Sequence, residues 1–418
     1  MQQTISEKIF SAHVGRPVRA GEVVVSPLDL VFWDDSNRPQ ACQVFREMGG
    51  KSVFDASRIA AFLDHAAITH NLAMASTHKT MRDFCAEQGI RLYEIGEGIE
   101  HQLIPEKGLA GPGDIIIGAD SHTCTIGALN AFGAGVGSSD LATGLLTGKL
   151  WFRVPKTVRF VLDGRLQPGV FSKDIVLALL KRMGADGANY EAVEFVGSAM
   201  QDLSMESRFV ITNMAVEMGA KTGLMEIDDR AREWMKGRVE RGYRTYTSDP
   251  GAETSREIRI DVSSLEPQVA KPHSPANGVP VGEIAGLPIQ QAVIGTCTNG
   301  RLEDLREAAQ VLRGRKVAPG VRLYVTPSSR TVLQDALKEG LIATFIEAGA
   351  VLGTPGCGGC TGGSGLGIPG DGVNMISTAN RNFKGRTGNN NAFIYLASPA
   401  TVMASAVEGR IADPRKYP

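Results

Sequence analysis

The feature that most constrains this chain is a recurring alternation of short apolar runs with longer segments of helical period. Asp114 to Asp120 (DIIIGAD), Thr157 to Gly164 (TVRFVLDG), Gln291 to Cys297 (QAVIGTC) and Arg322 to Pro327 (RLYVTP) are apolar and closed by Gly, Asp or Pro. They are too short for helices and read as buried strands. Ala75 to Gly89, Ser172 to Gly184, Arg301 to Gly314 and Ser329 to Gly340 carry helical patterns and end on Gly, which tolerates the left-handed backbone past a helix C-terminus. Strands joined by helix-length crossovers pair in parallel, so the fold class is α/β with largely parallel sheets. At 418 residues the chain exceeds what one core serves, and two or three domains are expected. The Pro-rich stretch from Asp249 to Gly286 lacks helical period and is the best linker candidate, with a weaker boundary near Pro155.

Composition removes several functional classes. The formal net charge of −1 gives no electrostatic reason to expect a nucleic-acid or anionic-membrane partner, and the basic run Arg313 to Lys316 reads as a solvated loop after a helix. The N-terminal MQQTISEKIF lacks the apolar core of a secretory signal. No segment approaches the roughly 18 uncharged apolar residues of a membrane span, so a cytoplasmic protein is expected. Six cysteines in a chain of this length do not make a disulfide framework; Cys42, Cys85 and Cys124 are scattered and read as small buried hydrophobes.

The other cysteines are placed differently. Cys357 and Cys360 stand two residues apart in GTPGCGGCTGG, a run more than half glycine. A redox pair should open a helix, which the surrounding glycines disfavour. A zinc ribbon needs a second C-x-x-C or paired histidines, and no such half is present; zinc held by three cysteines and a distant His stays open. The third reading is an iron–sulfur site. Cys297, in GTCTNG between an apolar strand and an Asn-capped helix starting near Arg301, offers a third thiol, expected to be exposed and lowered in pKa at the helix N-terminus. Three thiolates are one short of closing a cubane cluster, and that shortage would leave one iron free to bind substrate. The glycines would let backbone approach the cluster and turn N–H groups toward its sulfides.

With these residues the chain resembles the aconitase superfamily, and within it the large subunits of the two-subunit 3-isopropylmalate dehydratase and homoaconitase group. LDHAAITHN, EGIEHQLIPEKGL, GADSHTCTIGALNAFGAGVGSSD, NMAVEMGAKTG, GTCTNGRLEDL, PGCGGCTGG and NRNFKGR occur in the family's order over essentially the whole chain. The resemblance implies a [4Fe–4S] cluster held by Cys297, Cys357 and Cys360, with one iron not ligated by cysteine. It implies three α/β/α domains around that cluster, taken as residues 1–155, 156–280 and 281–418, the last carrying the cysteines. The implied activity is that of a hydro-lyase acting on a 2-alkylmalate-type hydroxy-acid, 3-isopropylmalate and 2-isopropylmalate by way of 2-isopropylmaleate, in leucine biosynthesis. Homoaconitase or another malate-type dehydratase is the alternative. A cluster-sensing regulatory protein that binds RNA is a further one, disfavoured by the near-neutral charge and the length.

The resemblance also assigns side chains. Asp64 and His65 would protonate the departing hydroxyl, and His101, Asp120 and His122 would orient water and relay protons. Glu217, flanked by Met214, Val216 and Met218, would be a buried carboxylate facing the hydroxyl. Ser121, Asn380, Arg381 and Arg386 would bind substrate, the arginines by bidentate contact with carboxylates, and Asn213 and Asn299 would border the cluster. His13, His70 and His78 read as structural. In VFWDDSNRP the chain has Trp33, Asp34 and Asp35 where isopropylmalate-type members tend to show His-Asp or Asn-Asp beside the substrate pocket. The superfamily's swivelling fourth domain supplies a serine base and further arginines. Only about 30 residues follow NRNFKGR, so that domain is expected on a small partner subunit, closing an unusually open polar cleft.

Overall fold

The computed structural model describes residues 2–36 and 40–417; the end of the VFWDDSNRP stretch, residues 37–39, lies outside the described residues. The four apolar runs form the strands Ile115–Gly118, Thr157–Asp163, Gln291–Ile294 and Arg322–Val325. The four helical segments form Leu72–Gln88, Ser172–Met183, Leu302–Leu312 and Arg330–Lys338. Gly89 ends the first of these in the left-handed region, and its N–H bonds back to the Cys85 carbonyl.

Three large sheets organise the described residues. The first has the order Arg91–Tyr93, Ile59–Phe62, Leu30–Asp34, Ile115–Gly118, Phe132–Gly135, every pairing parallel. The second, Thr222–Met225, Ala192–Val196, Thr157–Asp163, Arg256–Asp261, is also parallel throughout. The third orders Gly278–Pro280, Gln268–Ala270, Phe393–Ala397, Asn374–Ser377, Gln291–Ile294, Arg322–Val325, Val351–Leu352. Its first two strands run antiparallel to their neighbours and the others pair in parallel. Leu30–Asp34, Ile59–Phe62, Ile115–Gly118 and Gln291–Ile294 are buried at every residue, as strands covered on both faces must be. No described helix is long and apolar enough to cross a membrane.

The Pro-rich stretch expected to be a linker is not one. Asp249 to Gly286 carries Arg256–Asp261 at one edge of the second sheet and then Gln268–Ala270 and Gly278–Pro280 at one end of the third. Proline is tolerated there because Gly278–Pro280 is an edge strand with one unpaired side. The boundary drawn at residue 280 therefore falls inside the third sheet, and the chain changes sheet between Asp261 and Gln268.

One apolar cluster joins all three sheets, running from Phe32 through Phe160 to Ile394, and it includes Cys297, Cys357 and Cys360. The segment Ser121–Leu129 of the first unit lies against strand Thr222–Met225 of the second so closely that a Cβ on Gly127 would sit 1.5 Å from the Gly223 carbonyl oxygen. The obstacle is a backbone carbonyl group, which cannot swing aside as a side chain could. Gly127→Ala should cost about 3 kcal/mol of stability, read as a lower urea midpoint with an unchanged slope.

Candidate active site

The polar residues gather because their loops leave the carboxyl ends of parallel strands, where open α/β sheets expose their crevices. Leu30–Asp34 ends on Asp34 and Asp35, Ile59–Phe62 leads to Asp64 and His65, and Ile115–Gly118 leads to Asp120. In the third sheet, Gln291–Ile294 leads to Cys297 and Asn374–Ser377 to Asn380.

Cys297 follows Gly295 (φ 141°) and Thr296 (φ 71°) and sits in the four-residue helix Thr296–Asn299. A β-branched residue at positive φ carries strain of about 1–3 kcal/mol, which surrounding contacts must sustain. Cys357 and Cys360 lie on the glycine turn, and the Cys357 N–H donates to the Asp64 carbonyl at 2.9 Å, tying that turn to the first sheet. Gly358 at φ 61° is required there, since a Cβ would also meet Thr326 Oγ1 at 2.7 Å.

Amide and guanidinium donors surround the thiols. Asn213 Nδ2 and Asn380 Nδ2 each donate to Cys297 Sγ at 3.3 Å, and Arg386 Nη2 donates to Cys360 Sγ at 3.1 Å. Asn380 Oδ1 accepts from Cys360 Sγ at 3.5 Å, so one amide bridges two of the three cysteines. A hydrogen bond from Cys357 together with the Arg386 charge holds the Cys360 thiol well below its ordinary range. Cys297 departs from its sequence expectation. It is buried, and burial pushes its thiol up to about 11.

Beside the thiols stand carboxylate–imidazole pairs. Asp64 Oδ1 lies 2.8 Å from His65 Nδ1, which directs His65 Nε2 elsewhere, 3.9 Å from Asp120 Oδ2. Asp120 Oδ1 accepts from His101 Nε2 at 2.7 Å and from the His122 N–H at 2.6 Å. His122 Nε2 is 2.7 Å from Glu217 Oε1, and Arg381 Nε donates to the same carboxylate at 2.8 Å. Burial opposes the charged form of His65, yet its acidic neighbours, among them Asp34 and the hydrogen-bonded Asp64, outweigh it and raise its pKa well above the ordinary imidazole range. Burial likewise opposes ionisation of Asp120 and Glu217, but hydrogen bonds from their histidines hold both low. For His101 burial wins and its pKa falls.

Other expected residues take different places. Asn299 donates to Asp304 Oδ1 at 2.8 Å rather than to a thiol. It does not cap the following helix, whose capping residue is Arg301, with Asp304 Oδ2 accepting its N–H at 2.8 Å. Ser121 lines a shallow cleft with Gly137, Val216 and Lys221 and takes no part in the hydrogen bonds described above. Arg386 uses Nη2 for Cys360, and its Nε has no hydrogen-bond partner among the described residues. Arg381 uses Nε for Glu217, and no hydrogen bond of its terminal nitrogens is found among the described residues. The expectation of an open, polar face meets buried side chains instead: Asp64, His65, His122 and the three cysteines are all buried, with the turn at Cys357 tied to the Asp64 loop.

Sequence reasoning placed Asp34 and Asp35 beside the substrate pocket without foreseeing their contact with His65, and it missed Glu100. Asp35 accepts from the N–H groups of His65 (2.9 Å) and Ala66 (3.1 Å) and lies 2.7 Å from His78 Nε2, so it holds the Asp64–Ala66 turn in place. Asp34 Oδ1 lies 3.4 Å from His65 Nδ1. An acidic doublet ending an apolar strand was the available signal.

The Aconitase family (aconitate hydratase) model matches residues 7–287 and 282–409. The chain belongs to the aconitase family. Among its relatives are a 3-isopropylmalate dehydratase large subunit of Moorella thermoacetica, 51% identical over 100% of this chain and 99% of that protein, and one of Thermotoga maritima, 47% identical over 100% of both. A third, a 3-isopropylmalate dehydratase large subunit 1 of Pyrococcus furiosus, is 51% identical over 99% of this chain and 98% of its own length. The crystal structure of Thermococcus kodakaraensis aconitase X (holo-form) matches with a TM-score of 0.52 at 13% identity, covering 93% of this chain and 97% of that one, a likeness of fold alone.

Proposed function

We propose that the chain is the large, cluster-binding subunit of an iron–sulfur hydro-lyase that interconverts 3-isopropylmalate and 2-isopropylmalate through 2-isopropylmaleate. The observation that carries this reading is the meeting of three buried thiols with the Asp64–His65 and His101–Asp120 pairs at strand ends from different sheets. Full-length relatives named as large subunits of 3-isopropylmalate dehydratase support the substrate and imply a second polypeptide. In this reading the partner is a small subunit carrying the swivelling domain. The setting is a reducing cytoplasm, which suits six free cysteines. The three α/β/α units belong to the same reading, with the second boundary moved to between Asp261 and Gln268.

The donor set fits a [4Fe–4S] cluster. Cys297, Cys357 and Cys360 would hold it, and Asn213, Asn380 and Arg386 already donate to sulfur as groups around a cluster must. His101, His122 and Cys297 also offer ligand atoms within 4.8 Å of one another, the geometry that keeps zinc as the competitor. Both Nε2 atoms of those histidines are however taken by Asp120 and Glu217.

Dehydration requires loss of a proton beside a carboxylate and expulsion of hydroxide, both slow in water. The cluster, when bound, would supply a Lewis acid that polarises the substrate hydroxyl and carboxylate. His65, held at Nδ1 by Asp64, would give the Nε2 proton to the leaving oxygen. Asp120 and Glu217 hold His101 and His122 in fixed orientation, and Arg381, anchored through Nε, would turn its terminal nitrogens to a substrate carboxylate. The Asp34–Asp35 departure faces His65 and the Asp64–Ala66 backbone, so it bears on the acid more than on selection of the substrate's alkyl group.

Anaerobic reconstitution followed by iron, sulfide and zinc analysis tests this. Cys297→Ser, Cys357→Ser and Cys360→Ser should each lose the cluster. Cys42→Ser, Cys85→Ser and Cys124→Ser should keep it, since Cys42 and Cys85 lie in a separate apolar cluster and Cys124 Sγ donates to the Asn213 carbonyl. A full cluster in Cys357→Ser, or stoichiometric zinc in the wild type, would sink the reading.

A further inference from the structure

Glu100 is a carboxylic acid inside the site that the mechanism above does not use. Its side chain is fully buried, and neither Oε1 nor Oε2 has a hydrogen-bond partner among the described residues. Its backbone N–H donates to Asp64 Oδ2 at 2.7 Å, which fixes it between the two carboxylate–imidazole pairs. Oε1 lies 3.3 Å from His101 Nε2, the nitrogen that is 2.7 Å from Asp120 Oδ1. One ligand atom each of His65, Glu100 and Asp120 fall within 4.8 Å of one another.

The groups that act on Glu100 are the carboxylates of Asp34, Asp64 and Asp120 and the imidazoles of His65 and His101. No arginine or lysine is paired with it among the described residues. A carboxylate with no donor, placed among three others and out of water, is disfavoured by desolvation and by like charge together. Burial, then repulsion from Asp34 and Asp64, holds its carboxyl well above the usual range. The neutral form has an O–H in need of an acceptor, and Asp120 is the neighbouring carboxylate that also holds His101.

We propose that Glu100 is kept as a neutral carboxylic acid that braces Asp120 and, through it, the orientation of His101 and His65. It is a positioning residue, and its use in turnover rests on the hydro-lyase reading. Glu100→Gln keeps the shape and supplies a neutral N–H donor to Asp120, whereas Glu100→Ala removes both.

Two measurements test this. Infrared difference spectra of the purified chain at neutral pH, wild type minus Glu100→Gln, should contain the C=O stretch of a protonated carboxyl, with no need of substrate or partner. Ionised-carboxylate bands in its place would overturn the proposal. In the cluster-loaded holoenzyme with its partner subunit, Glu100→Ala should lower kcat about 100-fold with KM nearly constant, as loss of orientation does. Glu100→Gln should recover most of that, to within about 5-fold of wild type, the size of one altered hydrogen bond. Equal losses in the two variants would mean that the proton itself is transferred, and would also overturn the bracing role. A wild-type holoenzyme without turnover would sink the hydro-lyase reading, while the infrared band would still support the neutral acid.

Discussion

His65→Ala should lower kcat for 3-isopropylmalate by about 1,000-fold while KM changes little, the size and pattern expected for a general acid that acts only in the transition state. The argument is geometric. Asp64 Oδ1 at 2.8 Å fixes the ring through Nδ1, and Asp35 fixes the backbone through the His65 and Ala66 N–H groups, so only Nε2 is left to meet the leaving oxygen. Asp34 and the hydrogen-bonded Asp64 raise the His65 pKa against burial and so keep that nitrogen protonated. Asp64→Asn should fall between wild type and His65→Ala, because the amide still contacts Nδ1 but no longer stabilises the imidazolium. Steady-state kinetics on cluster-loaded enzyme with its partner, normalised to iron content, would decide; an unchanged kcat in His65→Ala removes His65 from proton transfer.

Much of the fold was legible because parallel strands buried on both faces must be short and continuously apolar, and helix ends at Gly89, Gly184 and Gly340 announce themselves. The linker was misread because Gln268–Ala270 and Gly278–Pro280 are three-residue strands, too short to show alternation, in a Pro-rich setting that edge pairing permits. The site was legible where motif residues carry both polarity and position, as at Asp64–His65, Asp120–His122 and the glycine turn. Cys297 misled because the helix that follows strand Gln291–Ile294 spans only Thr296–Asn299 and is buried, so desolvation overrides any effect of a helix terminus. Glu100 was overlooked because a Glu beside a His at the start of a helix has an ordinary explanation in the first-turn preference for acids. Only the meeting of the loops that leave four strands of the first sheet shows that its carboxyl is enclosed among Asp34, Asp64 and Asp120. Arg386 shows the same limit: sequence identifies a cation suited to carboxylates, but the fold points it at Cys360.

The second large effect concerns the partner. The cluster-loaded chain by itself should turn over 3-isopropylmalate at less than about a thousandth of the rate reached with a small subunit, the loss expected when an acid–base partner is missing. Relatives that match this chain over nearly their whole length are named large subunits, so the matched length corresponds to one polypeptide of at least two. The site itself points the same way. His65 is held by Asp64, His101 by Asp120, and His122 by Glu217, with heavy-atom separations of 2.8, 2.7 and 2.7 Å. Asp120 and Glu217 are held low by those same bonds, which makes each a weak base, and drawing a proton from substrate carbon would require breaking them. Acid groups are therefore well supplied here, while a strong base must reach the substrate from elsewhere. Adding a purified small subunit to the reconstituted chain should restore turnover at a stoichiometry near one to one, whereas isopropylmaleate formation at the full rate by the chain alone would overturn the two-subunit reading and place the base among its own residues.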